Sequence, residues 1–66
     1  MVEIIVNGSS HSVADDCTVA ALIQQLGVHG RYAVEINKQI VPRSQHLGHC
    51  LQGGDRVEIV QAIGGG

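Results

Sequence analysis

Val2-Glu3-Ile4-Ile5-Val6-Asn7-Gly8-Ser9-Ser10-His11-Ser12-Val13 places apolar residues at Val2, Ile4 and Val6, breaks at Asn7-Gly8 and resumes through His11, Ser12 and Val13. Asn and Gly both tolerate the positive φ demanded at the centre of a type I′ turn, so the stretch predicts two antiparallel strands joined by a tight hairpin. After Asp15-Asp16 the period changes: Val19, Leu22, Ile23 and Leu26 fall at i, i+3, i+4 and i+7 and define one face of a helix. Thr18, or Asp16 before it, can cap the N-terminus, and Gly27 offers a left-handed residue to end a helix of about three turns.

Further along, Tyr32 to Asn37 and Ile40-Val41 read as a second extended pair with a tight turn near Lys38, closed by Pro42, which has no N–H to give a ladder. Residues 43–52 show no clean period and predict an irregular or 3₁₀ link, and Gly53-Gly54-Asp55 predicts a turn. The last strand is expected from Arg56 to Ile63, with Val57 and Ile59 on one face and Glu58, Val60 and Ala62 on the other. This order predicts an α+β domain over residues 1–63, with a mixed four- to five-stranded sheet and one helix across one face, followed by a flexible tail, Gly64-Gly65-Gly66.

A single helix covers only one side of such a sheet. On the other side alternation places Ile5, Val60 and Ala62 beside Glu3 and Glu58. Scattered surface aliphatics are normal, but these lie on strands expected to be adjacent, which makes them candidates for a partner-docking face.

Composition narrows the function. With 66 residues there is room for one core, and with Tyr32 the only aromatic that core is aliphatic. Such a core rarely leaves a deep polar cavity of roughly 300 Å³ or more, which argues against an independent enzyme. Arg31, Lys38, Arg43 and Arg56 are scattered in a chain of net charge −2, so no basic run is available to follow a nucleic-acid backbone. No apolar stretch approaches the ~20 residues of a membrane span, and the reading is of a cytoplasmic protein. Cys17 and Cys50 form no CxxC and no disulfide framework, and are expected to be reduced and structural.

Three consecutive glycines form a thread without side chains, able to enter a narrow channel and to leave a terminal carbonyl open from either side. A carboxylate there, with a pKa of about 3.5, is ionised and a poor electrophile. It needs activation, as an acyl adenylate made from ATP by another protein, after which sulfide or a persulfide can convert it to a thiocarboxylate. On this reading the reactive group is the carboxylate of Gly66, and no side chain is catalytic.

Over essentially its whole length the chain resembles the ThiS/MoaD family of ubiquitin-like β-grasp sulfur carriers, the ThiS branch most closely. The resemblance rests on the first strand with Asn7-Gly8, on Thr18-Val19 and Leu22, and on Val34-Glu35-Ile36-Asn37. It extends through Ile40-Val41-Pro42-Arg43, Gly54-Asp55-Arg56-Val57-Glu58-Ile59 and the terminal glycines. It implies a β-grasp fold and a role as sulfur carrier in forming the thiazole of thiamine. It also implies adenylation of Gly66 by a ThiF-like adenylyltransferase, Gly64 and Gly65 threading into partner active sites, and delivery of sulfur to the thiazole synthase ThiG. The carrier itself would hold no cofactor, ATP and the sulfur donor being used by the partner. Many relatives carry an aromatic residue where this chain has His46, so packing in that link is expected to differ.

Three rivals are weaker. A molybdopterin-pathway carrier of the MoaD type shares fold and tail, but such relatives are usually longer and often have Pro-Pro where this chain has Gln61-Ala62-Ile63. His46, His49 and Cys50 lie close together in sequence, but zinc wants four ligands and no second cluster supplies the rest, so these are read as partly exposed link residues. A plain β-grasp interaction module would use its sheet face and never its tail.

Overall fold

The computed structural model describes residues 1–61. The expected end of the last strand at Ile63, the domain boundary there, and the candidate residues Ala62, Gly64, Gly65 and Gly66 lie outside the described residues. In chain order the elements are β1 (Val2–Val6), β2 (Ser9–Val13), α1 (Val19–Leu26), β3 (Tyr32–Ile36), β4 (Gln39–Val41), a 3₁₀ turn (Arg43–Gln45) and β5 (Arg56–Gln61). They build a five-stranded mixed sheet in the order β2-β1-β5-β3-β4, with β1 and β5 parallel and the other neighbours antiparallel. This is the β-grasp arrangement.

Both hairpins turn on left-handed residues. Asn7 (φ 48°) and Gly8 (φ 85°) join β1 to β2, and Asn37 (φ 52°) and Lys38 (φ 69°) join β3 to β4. Positive φ at both central residues matches the turn to the right-handed twist of its strands. Asn bears the conformation well; at Lys38 it carries a steric cost.

Helix α1 has eight residues, two turns where the sequence suggested three. It is shorter because Thr18, and not Asp16, is the cap: its hydroxyl accepts from Ala21 N–H at 3.1 Å. Gly27, at φ 71°, closes the helix by donating to Gln24 and Ile23 carbonyls. The first N–H groups are met from outside the helix. Val19 donates to the His49 carbonyl at 2.9 Å and Ala20 to the His46 carbonyl at 3.0 Å, so the 46–50 link serves as a backbone cap.

The helix seats Val19, Leu22 and Ile23 on one sheet face, where Ile4, Val6, Val13, Val34, Ile36, Val41 and Val57 meet them in a single aliphatic core joined by Cys17 and Leu51. The most deeply enclosed side chains are Ile4, Leu22, Leu51, Val19, Val34 and Val57. None of the described helices is long and apolar enough to cross a membrane.

Candidate functional site

β5 carries the chain toward the glycine tail, and it is a central strand. β3 pairs with it along its whole described length, from Ile36↔Val57 to Tyr32↔Gln61. On the other side β1 pairs with it only at Ile5↔Arg56 and Val6↔Val57. The strand that delivers the tail is therefore anchored at its start from both sides and at its end from one.

Register fixes the uncovered face. Val57 and Ile59 turn toward the helix, while Arg56, Glu58 and Val60 turn away, in line with Glu3 and Ile5 of β1, Ala33 and Glu35 of β3 and Ile40 of β4. Val60 is 63% exposed and Ile40 62%, whereas Ile5 is half-buried. Ile5 stands beside Arg56 and Val60 beside Ala33. The two candidate docking residues thus share a face but sit four residues apart along β5, roughly 13 Å at 3.3 Å per residue, with Glu58 between. Ala33, Glu35 and Ile40 belong to the same face. They escaped the sequence reading because their place depends on β3 lying next to β5, which alternation within one strand does not reveal. Glu58 and Glu35 are directly opposite, a like-charge pair that costs stability and gives the face a negative centre.

At the last described residues of β5, Arg31, Tyr32, Ala33, Val60 and Gln61 line a shallow concavity of about 330 Å³. Behind it the Arg43 guanidinium lies 4.6 Å from the centre of the Tyr32 ring and donates to the Gly30 carbonyl at 3.1 Å. This contact braces the β3 end against which Gln61 pairs.

Comparison with known proteins decides what this strand and tail belong to. Residues 3–66 match the profile described as the ThiS family. The chain belongs to the ThiS family. Among its relatives, the sulfur carrier protein ThiS of Escherichia coli is 38% identical over 65 residues, spanning 97% of this chain and 98% of that protein. The thiazole synthase of Paramagnetospirillum magneticum is 42% identical over 97% of this chain but over only 20% of its own length. A thiazole synthase of Magnetococcus marinus is 37% identical, again over 20% of its length. The chain therefore spans about a fifth of those synthases and nearly all of the free-standing carrier. A crystal structure of the thiamine biosynthesis protein ThiS from Geobacter metallireducens superimposes with a TM-score of 0.82 at 29% identity, covering 98% of this chain and 100% of that one.

In this ThiS-family chain His46 is not the partly exposed link residue expected from sequence: it is 5% exposed. Its Nε2 lies 3.0 Å from the Val41 carbonyl, which can only accept, so Nε2 carries the proton. The ring stacks on Tyr32 with centroids 6.1 Å apart and 23° between planes. A flat ring with one satisfied N–H thus packs against the tyrosine as an aromatic would. His49 is half-buried, and among the described residues no group of three His, Cys, Asp or Glu side chains is placed to hold a metal.

The cysteines separate. Cys17 is 4% exposed within the core; Cys50 is exposed, so it is not the structural residue expected. Thr18 and Cys50 face each other across an antiparallel bridge, which turns Cys50 outward where Cys17 turns in. Burial pushes the Cys17 thiol above its ordinary range, and the negative charge of Asp16 and proximity of Cys50 add to that. Native protein treated with iodoacetamide at neutral pH should therefore take one carbamidomethyl group, on Cys50, with Cys17 reacting only after unfolding; peptide mapping reads both sites.

A concavity of about 530 Å³ is an open groove between β4 and the 45–52 link, bordered by Gln45, His49, Cys50, Gln52, Asn37 and Asp55. Its size exceeds what an aliphatic core suggested, because the link arches away from the short strand β4 and leaves polar side chains along a surface cleft. It lies across the fold from the end of β5.

Proposed function

We propose that this chain is the sulfur carrier for building the thiazole of thiamine, and that it acts as a co-substrate of other enzymes rather than as an enzyme. The observation that carries this reading is the near end-to-end correspondence with the carrier of Escherichia coli, at 38% identity, over a β-grasp domain whose central strand leads to Gly64-Gly65-Gly66.

The Gly66 carboxylate attacks the α-phosphorus of ATP on a ThiF-like adenylyltransferase, releasing pyrophosphate and leaving an acyl adenylate. Sulfide then displaces AMP to give the thiocarboxylate. A persulfide donor would instead give an acyl disulfide, which a second thiol cleaves to the same product. The thiocarboxylate is a soft nucleophile on a thread without side chains, and a ThiG-like thiazole synthase is the acceptor. The names of the thiazole synthase relatives support that pairing.

Gly64 and Gly65 serve as the threading segment because residues without a Cβ can pass a narrow channel in any backbone conformation. Ile5 and Val60, on the uncovered side of the sheet, form the docking face, and alternation in the sequence adds Ala62 to the candidates. Glu35 and Glu58 at its centre favour a partner surface carrying basic residues around an apolar patch. The carrier holds no cofactor of its own, and dependence on ATP places its work in the cytoplasm.

The test is the intact mass of untagged protein ending at Gly66 after incubation with ATP, a sulfur donor and a ThiF-like enzyme, followed by fragmentation. The expected result is one oxygen replaced by sulfur, localised to Gly66. An unchanged mass, with an enzyme shown to load another carrier, would overturn the reading.

A further inference from the structure

The parallel ladder between β1 and β5 stops early because the chain turns at Asn7. Up to that point it runs in regular steps: Ile5 N–H donates to the Asp55 carbonyl at 2.9 Å and Asn7 N–H to the Val57 carbonyl at 2.9 Å. The next step of a parallel ladder would engage Ile59, but β1 has no further backbone to offer. The Asn7 side chain supplies it. Its Oδ1 accepts from Ile59 N–H at 2.9 Å, and its Nδ2 donates to the Ile59 carbonyl at 3.3 Å. A side-chain amide has the same donor and acceptor as a peptide, so this pair replaces one rung of the sheet with partners 52 positions apart.

The other hairpin repeats part of this device at the start of the same strand. Asn37 N–H donates to the Arg56 carbonyl at 2.8 Å, and Asn37 Oδ1 accepts from Arg56 N–H at 3.0 Å. Both asparagines hold left-handed conformations, φ 48° and 52°, which turn the side chain back onto the neighbouring strand. Glycine would make either turn equally well and keep its backbone bond to β5, but it would lose the side-chain bonds.

We infer that Asn7 is a positioning residue for tail transfer: its carboxamide completes the ladder at Ile59 and so holds the last described residues of β5, Val60 and Gln61, on one course toward the partner. The inference rests on the carrier function proposed above. Without the rung, β5 beyond Val57 is held from the β3 side alone. The strand end then samples several exits, and docking must order it at an entropic cost. That cost falls on encounter with the activating enzyme and not on adenylation once the tail is seated.

The test compares the parent with Asn7→Gly, which keeps the left-handed turn and removes only the amide, and with Asn7→Asp, which keeps the acceptor for Ile59 N–H. In Asn7→Gly, hydrogen-exchange protection at Ile59, whose N–H is the one Asn7 accepts, should fall about tenfold, as expected for two exposed hydrogen bonds, while protection at Val34 and Ile36 follows only global stability. In ATP-dependent loading of Gly66 by a ThiF-like enzyme, KM for the carrier should rise roughly threefold or more with kcat unchanged. Asn7→Asp should recover part of both effects. Unchanged exchange at Ile59, or unchanged KM with an active parent, overturns the positioning role alone. A parent chain that is not loaded at all overturns the proposed function, and the positioning role with it.

Discussion

Removing Gly65 and Gly66 is expected to abolish sulfur loading and thiazole formation while leaving the unfolding midpoint within experimental error of the parent. The two halves of this outcome have separate causes. The truncated chain still ends in a glycine carboxylate, at Gly64, with the same intrinsic reactivity. What it lacks is reach, since two extended residues span about 7 Å. Attack on the ATP phosphorus requires reacting atoms within about 3.5 Å, and a misplacement of even 1 Å can cost on the order of a hundredfold, so a deficit of 7 Å leaves no productive complex. Stability is untouched because every side chain of the core, from Ile4 to Val57, lies before the tail, and glycine has no side chain to bury. Loading is read by intact mass and stability by thermal denaturation. Retained thiazole formation by the truncated chain would mean that the domain serves only as a docking module.

Much of this fold is written in local pattern, and what is not has a common cause. The Asn7-Gly8 turn, the apolar face of α1, the Thr18 cap and the Gly27 stop follow from backbone preferences of the residues themselves, and each is present. The link at 43–52 is legible as irregular or 3₁₀, and a 3₁₀ turn is present at Arg43–Gln45. Its work of capping α1 through the carbonyls of His46 and His49 left no trace, because any residue presents the same carbonyl. Without further metal ligands His46 reads as a partly exposed link residue; its burial depends on the Val41 carbonyl and the Tyr32 ring, both brought to it by the fold. The lack of a CxxC or disulfide framework suggests a structural Cys50, but a bridge to Thr18 turns it outward. In the same way Asn7 is legible as a turn residue, while the destination of its carboxamide, Ile59, follows only from the placement of β5 beside β1. The candidate site is divided likewise. Ile5 and Val60 could be assigned to the uncovered face by alternation, but their separation and the company of Ala33, Glu35 and Ile40 depend on strand order.

Leu22→Ala is expected to cost about 2–5 kcal/mol, the range for truncating a fully buried leucine. Leu22 is 1% exposed at the centre of the helix face, between Val19 and Ile23 and over the sheet, so its removal leaves a cavity that the rigid sheet cannot close. Alanine is the better helix former, but that gain is a few tenths of a kcal/mol and does not offset the lost burial. Set against a total stability of roughly 3–10 kcal/mol for a chain of this length, the loss is a large fraction of the whole. In a domain of this size each kcal/mol moves the midpoint by about 4–8 °C, so thermal denaturation should show a fall of at least about 8 °C. Leu47→Ala serves as the control. Leu47 is 83% exposed, and its truncation should stay within about 0.5 kcal/mol of the parent. Equal midpoints for the two variants would show that α1 is not seated on the sheet, and with that the core that holds β5 in place would have to be redrawn.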